Sequence, residues 1–396
     1  MRSIILLGST GSIGTQCLEV LRAHPAQFQL VGLAAGSSWR LAIEQLIEFK
    51  CPALALADAA AVADAQASGL IPDGTRVFSG PEAAADMARD LDYDLALNGV
   101  VGAAGLLPSV RVLEAGHDLA LANKESLVIA GELLMELARK FGVKILPVDS
   151  EHCALQQCLH GEDIDRVRRV LLTASGGALR DLSLDELHEV TPVAALEHPT
   201  WSMGPRITIG SATLMNKALE IIEAAHLYDL PAERIAVVIH RQSIVHGMVE
   251  FVDGSVISQM GPPDMRGPIH HALSYPVRMT SNLIGFDPIL FSSLTFEEPD
   301  PVRFPALELG FRCVREGGNA GAVLNAADEV AVASFLEGEL PFHELVPTVS
   351  AVLDRRLEWP GKTLEDLLAA DHFARIAARE EIARRKSTGA SDLALG

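Results

Sequence analysis

The chain is short of the residues on which several protein classes depend. Its five cysteines (Cys17, Cys51, Cys153, Cys158 and Cys313) are odd in number and scattered over 396 residues. None stands at zinc-ligand spacing, and a chain of this length needs no disulfide scaffold. Cys153 and Cys158 read as buried thiols. No run of 18 apolar residues occurs, so no spanning helix and no membrane role is expected. The apolar run at the N-terminus is too short for a signal peptide and meets a glycine turn at Gly8, so a cytoplasmic location is expected. Aromatic residues make up only 5%, which favours close-packed helices and turns over a β-sandwich. Basic residues are also in deficit, with 32 Lys and Arg against 52 Asp and Glu and a net charge of −20. That sign excludes a general polyanion binder, so nucleic acid is not an expected partner. Small phosphates remain open to local cations.

What is abundant is core-forming material. Hydrophobic residues reach 49%, charged residues 21%, and mean hydropathy is +0.24, which together exclude global disorder. A single core rarely grows past roughly 250–300 residues, so two or three domains are expected. Over 1–149, apolar runs at 3–7, 29–34, 53–56, 94–97, 117–121 and 143–148 alternate with helical segments such as 15–23, 39–49 and 127–141. This alternation predicts a parallel sheet covered on both faces, a Rossmann-like N-terminal domain. Residues 150–277 mix strands (167–173, 235–239, 247–251, 255–259) with helices, and Val252-Asp253-Gly254 signals a hairpin. This stretch reads as an α+β catalytic domain. Residues 278–304 read as a linker, and 305–396 as a C-terminal helical bundle ending in a polar tail, 386–396, expected to fray.

Gly8-Ser-Thr-Gly11-Ser-Ile-Gly14 follows the first strand and opens a helix, the context in which glycines let a pyrophosphate approach a helix N-terminus. A tight structural turn is the alternative. An NAD enzyme carries an acidic residue at the end of the second strand. Here Gly36-Ser37-Ser38-Trp39-Arg40 offers hydroxyls and a cation, which suit the 2′-phosphate of NADP. Arg40 as an ordinary solvated helix residue fits equally well.

The strand at 143–148 runs into Asp149-Ser150-Glu151-His152, where ligands of open α/β sheets lie. In an extended segment Asp149 and Glu151 project from one edge, and two close carboxylates favour a proton or a hard divalent cation between them. Exposed loop acids are the plainer alternative. In Gly210-Ser211-Ala-Thr-Leu-Met-Asn216-Lys217-Ala-Leu-Glu220, Ser211 is expected to cap a helix on which Asn216, Lys217 and Glu220 share a face. Ser175-Gly176-Gly177 ends a strand in a turn able to form an anion nest, and Asn123-Lys124-Glu125 follows another strand end. Carboxylates for a metal beside hydroxyl, amide and lysine donors point to a phosphorylated polyol or ketose. Trp201, in the loop His198-Pro-Thr-Trp-Ser-Met-Gly204, either packs on a neighbour or covers a ligand.

These segments resemble the 1-deoxy-D-xylulose 5-phosphate reductoisomerase family over nearly the whole chain. The resemblance rests on GSTGSIG (8–14), GAAGLLP (102–108), LANKESLV (121–128), PVDSEH (147–152), HPTWSMG (198–204) and SATLMNKALE (211–220). PDMRGPI (263–269) and LNAADEVAV (324–332) extend it. It implies an NADPH- and divalent-metal-dependent enzyme (Mg²⁺, Mn²⁺ or Co²⁺) that rearranges and then reduces a ketose phosphate, working as a homodimer. Its metal ligands fall on Asp149, Glu151 and Glu220. Substrate contacts fall on Lys124, Ser150, Glu151, Ser175, His198, Trp201, Ser211, Asn216, Lys217 and Glu220, with catalytic roles for Lys124, Asp149, Glu151, His198 and Glu220. Cofactor contacts fall on Thr10, Gly11, Ser12, Ile13, Gly36, Asn123, Glu125 and Gly204, joined by Ser37, Ser38 and Arg40. A mobile flap is implied near 197–206. Four positions depart from the usual pattern: Ser37-Ser38 for Lys-Asn, Gly210 for an acidic residue and Asp328 for Asn. A metal-independent sugar-phosphate or semialdehyde reductase, and a non-catalytic NADP sensor, are the competing readings.

Overall fold

The computed structural model describes residues 1–197, 201, 203–357 and 361–393, with side chains described up to 387. The chain divides into two compact units, each assembled from non-contiguous segments. The first comprises Met1–Ser126, Leu134–Gln156 and Asp264–Gly285. Its centre is a seven-stranded sheet of β1 (Arg2–Leu7), β2 (Phe28–Ala35), β3 (Ala53–Leu56), β4 (Arg76–Ser79), β5 (Leu95–Asn98), β6 (Asp118–Leu121) and β7 (Ile145–Pro147). The strands are parallel, in the order β4-β3-β2-β1-β5-β6-β7. Crossovers are made by α1 (Ser12–Ala23), α2 (Trp39–Glu48), α3 (Ala59–Ser68), α4 (Ala83–Asp90), α5 (Leu106–Glu114) and α6 (Lys124–Phe141).

The central strands are mostly apolar because both faces are covered, and Ile4, Ile5, Leu6 and Leu7 are all fully buried. Ile4 and Leu6 pack with Leu18 and Leu21 of α1 and Ile43 and Leu46 of α2. On the other face, a Cβ at Gly32 would lie 2.9 Å from Leu91 and 3.0 Å from Met87, so a glycine in β2 lets α4 approach. Six of the seven strands match apolar runs expected from the sequence. β4 does not, because Arg76-Val-Phe-Ser is an edge strand that buries only Phe78, so polarity hides it. Helix α6 starts earlier than its apolar period suggests, since Asn123 caps it by accepting from the Ser126 N–H at 3.0 Å.

One local expectation fails. Asp149, Ser150 and Glu151 do not lie on an extended strand end: α7 (Ser150–Cys158) begins at once, and the Cys153 N–H already bonds the Asp149 carbonyl at 2.8 Å. Glu151 therefore sits in a first helical turn, a place that favours a carboxylate.

The second unit comprises Leu127–Leu133, Gln157–Pro263 and Phe286–Gly396. Its four-stranded sheet has the order β11-β10-β8-β9, from β8 (Val167–Ala174), β9 (Ile235–Ile239), β10 (Val245–Phe251) and β11 (Val256–Met260). The expected hairpin joins β10 to β11, with Gly254 at φ +89° and the Phe251 N–H on the Ser255 carbonyl at 2.9 Å. α8 (Pro192–Ala195), α9 (Pro205–Thr213) and α10 (Met215–Tyr228) follow β8, and α10 packs on β8 and β9. α11 (Arg266–Ser274) belongs to the first unit, where Ile269, Ala272 and Leu273 enter the sheet core. The helical C-terminal region holds α12 (Ala306–Glu316), α13 (Ala320–Leu336), α14 (Leu345–Asp354) and α15 (Leu364–Leu393). α15 runs past Lys386, where the polar tail begins, to Leu393. No described helix is long and apolar enough to cross a membrane.

The irregular segment before α12 is tied to β9 by His240. Its Nδ1 donates to the Thr295 carbonyl at 2.9 Å, its Nε2 accepts from the N–H groups of Ile244 and Val245 at 3.1 Å, and Ile239 pairs with Glu297. Burial pushes the imidazoles of His226, His240 and His270 below their ordinary 6.5. The unfolded chain takes up these protons near 6.5 and the native chain does not, so their contribution is complete above 6.5 and is lost as pH falls below it. Calorimetric Tm is expected to fall on going from pH 7 to pH 5.5, beyond what carboxylates account for; replacing His240 with Gln is expected to flatten that fall.

Candidate functional site

In the first unit the strand order reverses at β1 and β5, the switch point beyond whose carboxyl ends ligands bind. The turn after β1 needs its glycines for different reasons. Gly8 holds φ +85°, and a Cβ there would lie 2.8 Å from the Gly99 carbonyl carbon in the turn after β5. A Cβ on Gly14 would lie 2.2 Å from the Gly8 oxygen, so this glycine lets α1 start against the turn. Gly11 occupies the N-cap with extended backbone and no side chain caps α1. The amides at Ser12 and Ile13, beside Thr10, thus begin a helix whose positive end carries no built-in anion. At the end of β2, nothing lies within 4 Å of a Cβ placed on Gly36. The Trp39 N–H bonds the Ser37 carbonyl at 2.8 Å, Ser38 stands at the uncapped N-terminus of α2, and the Arg40 guanidinium rests 4.5 Å from the Trp39 ring centroid. A stacked, exposed cation beside two serines and a helix N-terminus is equipped for a phosphomonoester.

Asn123 and Glu125 have a different part. The Asn123 amide donates to the carbonyls of Val100 and Gly102 at 2.7 and 2.9 Å, while its oxygen accepts from Ser126. Glu125 accepts from the Gly102 N–H at 3.1 Å and from Asn123 at 3.0 Å. A Cβ on Gly105 would lie 2.5 Å from Asn123. The side chains of both residues are thus engaged in holding the turn after β5, and this explains why GAAGLLP and LANKESLV go together in one chain.

The first unit also carries an acidic cluster. Lys124, opening α6, forms an ion pair with Asp149 in which both side chains are nearly buried, and Ser150 Oγ donates to Glu151 at 2.5 Å. In the second unit α10 carries the counterpart. Lys217 pairs with Glu220, at 3% and 1% side-chain exposure, and the Asn216 amide donates to Glu220 at 2.6 Å. The shared face expected of Asn216, Lys217 and Glu220 is therefore present. Ser211 does not cap their helix, however. It lies in the last turn of α9, and the break falls at Leu214 (φ +56°), where Thr213 Oγ1 accepts from the Met215 N–H at 3.2 Å. Ser211 nevertheless meets the predicted anion turn, for a Cβ on Gly177 (φ +75°) would lie 2.5 Å from the Ser211 carbonyl oxygen. Ser175 Oγ accepts from the Gly177 N–H at 3.1 Å. Ser175 and Ser211 thus stand on abutting segments.

Trp201 is half-buried, its ring 6.3 Å from that of His246. Burial, with some help from the Lys217 charge, holds His246 below the ordinary histidine value. His246 is not singled out by residue-by-residue reading, although the His240–Val249 stretch that holds it belongs to the family resemblance. Gly204 is the N-cap of α9, and His198 lies outside the described residues.

Comparison with known proteins agrees with the resemblance. Family models described as 1-deoxy-D-xylulose 5-phosphate reductoisomerase match residues 4–131, and models of its C-terminal domains match 145–228 and 260–377. The 1-deoxy-D-xylulose 5-phosphate reductoisomerase of Chlorobaculum tepidum is 47% identical over 96% of this chain and 100% of its own. That of Pelodictyon phaeoclathratiforme is 48% identical over 97% and 100%. Among solved structures, the enzyme from Zymomonas mobilis in complex with NADPH has a TM-score of 0.90 at 38% identity, covering 96% of this chain and 99% of its own. A reductoisomerase in complex with NADPH, fosmidomycin and magnesium has a TM-score of 0.92 at 36% identity, over 98% and 99%.

The glycine turn yields a direct test. Replacing Gly14 with Ala forces α1 off the Gly8 oxygen, an overpacking worth about 1–3 kcal/mol. It is expected to weaken NADPH binding in a fluorescence titration by at least tenfold, whereas alanine at Gly285, where nothing lies within 4 Å of a Cβ, should leave it unchanged.

Proposed function

The chain belongs to the 1-deoxy-D-xylulose 5-phosphate reductoisomerase family, and from that premise we propose that it converts 1-deoxy-D-xylulose 5-phosphate to 2-C-methyl-D-erythritol 4-phosphate in isoprenoid precursor biosynthesis, using NADPH and a divalent metal ion. The observation that carries the reading at the level of residues is a pair of nearly buried lysine–carboxylate clusters, Lys124 with Asp149 and Lys217 with Glu220. Domain boundaries are proposed at 1–149 for the cofactor domain, 150–277 for the catalytic domain and 305–396 for the helical domain, joined by 278–304.

In this reading Asp149, Glu151 and Glu220 are the metal ligands. The residues fit such an ion: the donors are all carboxylate oxygens, the set that selects Mg²⁺, Mn²⁺ or Co²⁺ over thiolate-seeking metals. Each cluster also already balances its carboxylate with an ammonium group, so positive charge is what these positions require. When bound, the ion supplies Lewis acidity at the ketose oxygens. Lys124 holds its ammonium group where negative charge develops on a substrate oxygen. Glu151, steadied by Ser150, accepts and returns a proton. Ser175, Ser211, Asn216 and Lys217 bind the phosphate, and binding energy from this unreacting end orients the reacting one. His198 and Trp201, in the flap near 197–206, cover the substrate and exclude water.

Thr10, Gly11, Ser12 and Ile13 receive the NADPH pyrophosphate on the α1 N-terminus. Gly36, Ser37, Ser38 and Arg40 receive the 2′-phosphate, Gly204 meets the cofactor from α9, and Asn123 and Glu125 shape the floor beneath it. A homodimer is supported by β11, an edge strand of its sheet among the described residues, which exposes Val256, Ile257 and Met260. A cytoplasmic location is supported by the cysteines, all five of which are buried and outside any disulfide.

The deciding measurement is NADPH oxidation with 1-deoxy-D-xylulose 5-phosphate, with and without Mn²⁺, and NMR of the product. A chelator-insensitive reaction or an unrearranged carbon skeleton would overturn the proposal. Glu220→Gln keeps the shape of the side chain and is expected to abolish turnover while NADPH binds as before; retained activity would refute Glu220 as a ligand. Arg40→Ala is expected to raise KM for NADPH about tenfold, equivalent to ~1.4 kcal/mol, and to leave KM for NADH unchanged. Equal effects on both cofactors would remove Arg40 from the 2′-phosphate site.

A further inference from the structure

We infer that Arg206 is a positioning residue, which ties α9 to the C-terminal helix α13 and so sets the place of Ser211 and of the α10 cluster that follows. The inference takes from the functional reading only that Ser211, Asn216, Lys217 and Glu220 meet substrate or metal.

α9 has nine residues, too few to be stable on propensity alone, so its position comes from what holds it. Its C-terminal end is held at Ser211 and Ala212, whose backbone abuts Gly177. Its N-terminal end is held by the Arg206 fork. Nη1 donates to Glu329 at 2.8 Å, Nη2 donates to Asn325 at 2.8 Å, and Asp328 lies 3.6 Å away. These three residues, at i, i+3 and i+4, form one face of α13. Asn325 is fully buried and Asp328 is 6% exposed.

Two features show that this contact is not incidental. A cation in the first turn of a helix stands at the wrong end for the helix dipole, so nothing within α9 asks for arginine there. Across from it, α13 presents two neighbouring carboxylates in a mostly buried setting, which is unfavourable without positive charge close by. Arg206 supplies one charge. Arg375 of α15 supplies another, donating to Glu329 at 2.6 Å while forking onto Asp371 of its own helix. Glu329 thus joins two arginines, of which only one touches α9. Ser211 lies five residues beyond Arg206, about 7.5 Å along the axis, and the Leu214 break follows directly. A tilt of α9 about the Gly177 contact therefore changes the aim of Asn216, Lys217 and Glu220.

The two arginines separate positioning from simple support. Arg206→Met is expected to raise KM for 1-deoxy-D-xylulose 5-phosphate about tenfold, and Arg206→Lys, which keeps the charge but not the fork, is expected to recover part of that. Arg375→Met breaks the same network without touching α9. It is expected to lower Tm at least as much as Arg206→Met while leaving KM within twofold of the unsubstituted enzyme. A KM within twofold for Arg206→Met overturns the inference, as does a rise in KM that follows Tm equally in both variants. If Arg206→Met does not fold, Arg206→Lys decides: a folded enzyme with unchanged KM overturns the inference, and a raised KM supports it. Absence of turnover in the unsubstituted enzyme would instead defeat the functional reading, and the inference with it.

Discussion

Lys217 and Glu220 are buried together on one helix, and most of what is particular about the second unit follows from keeping them there. Taking an ammonium and a carboxylate out of water costs several kcal/mol per ion, and apolar residues of equal volume are often as stabilising or more so. The pair is thus poor value as a stability device. Its cost is tolerable because the partners sit at i and i+3, already facing one another, and because Asn216 satisfies the second carboxylate oxygen. Such a geometry needs a helix that starts abruptly just before Asn216. The left-handed Leu214 and the Thr213 hydroxyl provide that start. It further needs α9 to arrive from a fixed direction, which the Gly177 contact and the Arg206 fork enforce.

The first unit meets a similar demand by other means. Lys124 is brought to Asp149 because α6 and α7 begin at the ends of β6 and β7, adjacent strands of one parallel sheet. Helices that start at strand ends put their positive ends beside these residues, and Glu151 lies in the first turn of α7. The same end of the sheet, at β1, presents the glycine turn. One topological rule, that parallel strands deliver all their outgoing turns to one edge, therefore accounts for the expected cofactor contacts and for the Lys124–Asp149 pair.

How much of this can be read from the sequence depends on the range of the interaction. Gly8, Gly11 and Gly14 were legible because strand, turn and helix are consecutive. Asn216, Lys217 and Glu220 were legible because helical spacing is local. The polar edge strand β4 lacks an apolar run, so only its pairing with β3 reveals it. The start of α10 falls at Leu214 and not at Ser211 because the chain takes a left-handed turn there, which no residue type at Leu214 announces. Arg206 and Asn325 are 119 residues apart, and His240 and Thr295 are 55 apart. Neither member of these pairs carries a mark of the other, and a resemblance to relatives conveys a motif without the reason for it. The conjunction of GAAGLLP with LANKESLV was likewise visible as two motifs, and only the Asn123 hydrogen bonds make it one structure.

The overall charge sets a last constraint on how such a site works. At −20 the chain repels a phosphorylated substrate and a dinucleotide at long range. At physiological ionic strength that repulsion is screened beyond roughly 8 Å, so association is neither steered nor strongly opposed. In the proposed reading recognition is then made at contact, by groups that act within a Debye length: uncapped helix amides, the Ser175 turn, Lys217 and the stacked Arg40. The chain is poor in cations as a whole, and in this reading Lys217 and Arg40 stand where phosphates are expected. A surface patch of lysines would serve encounter. Lysines held at 3% and 11% side-chain exposure serve only a ligand that has already entered.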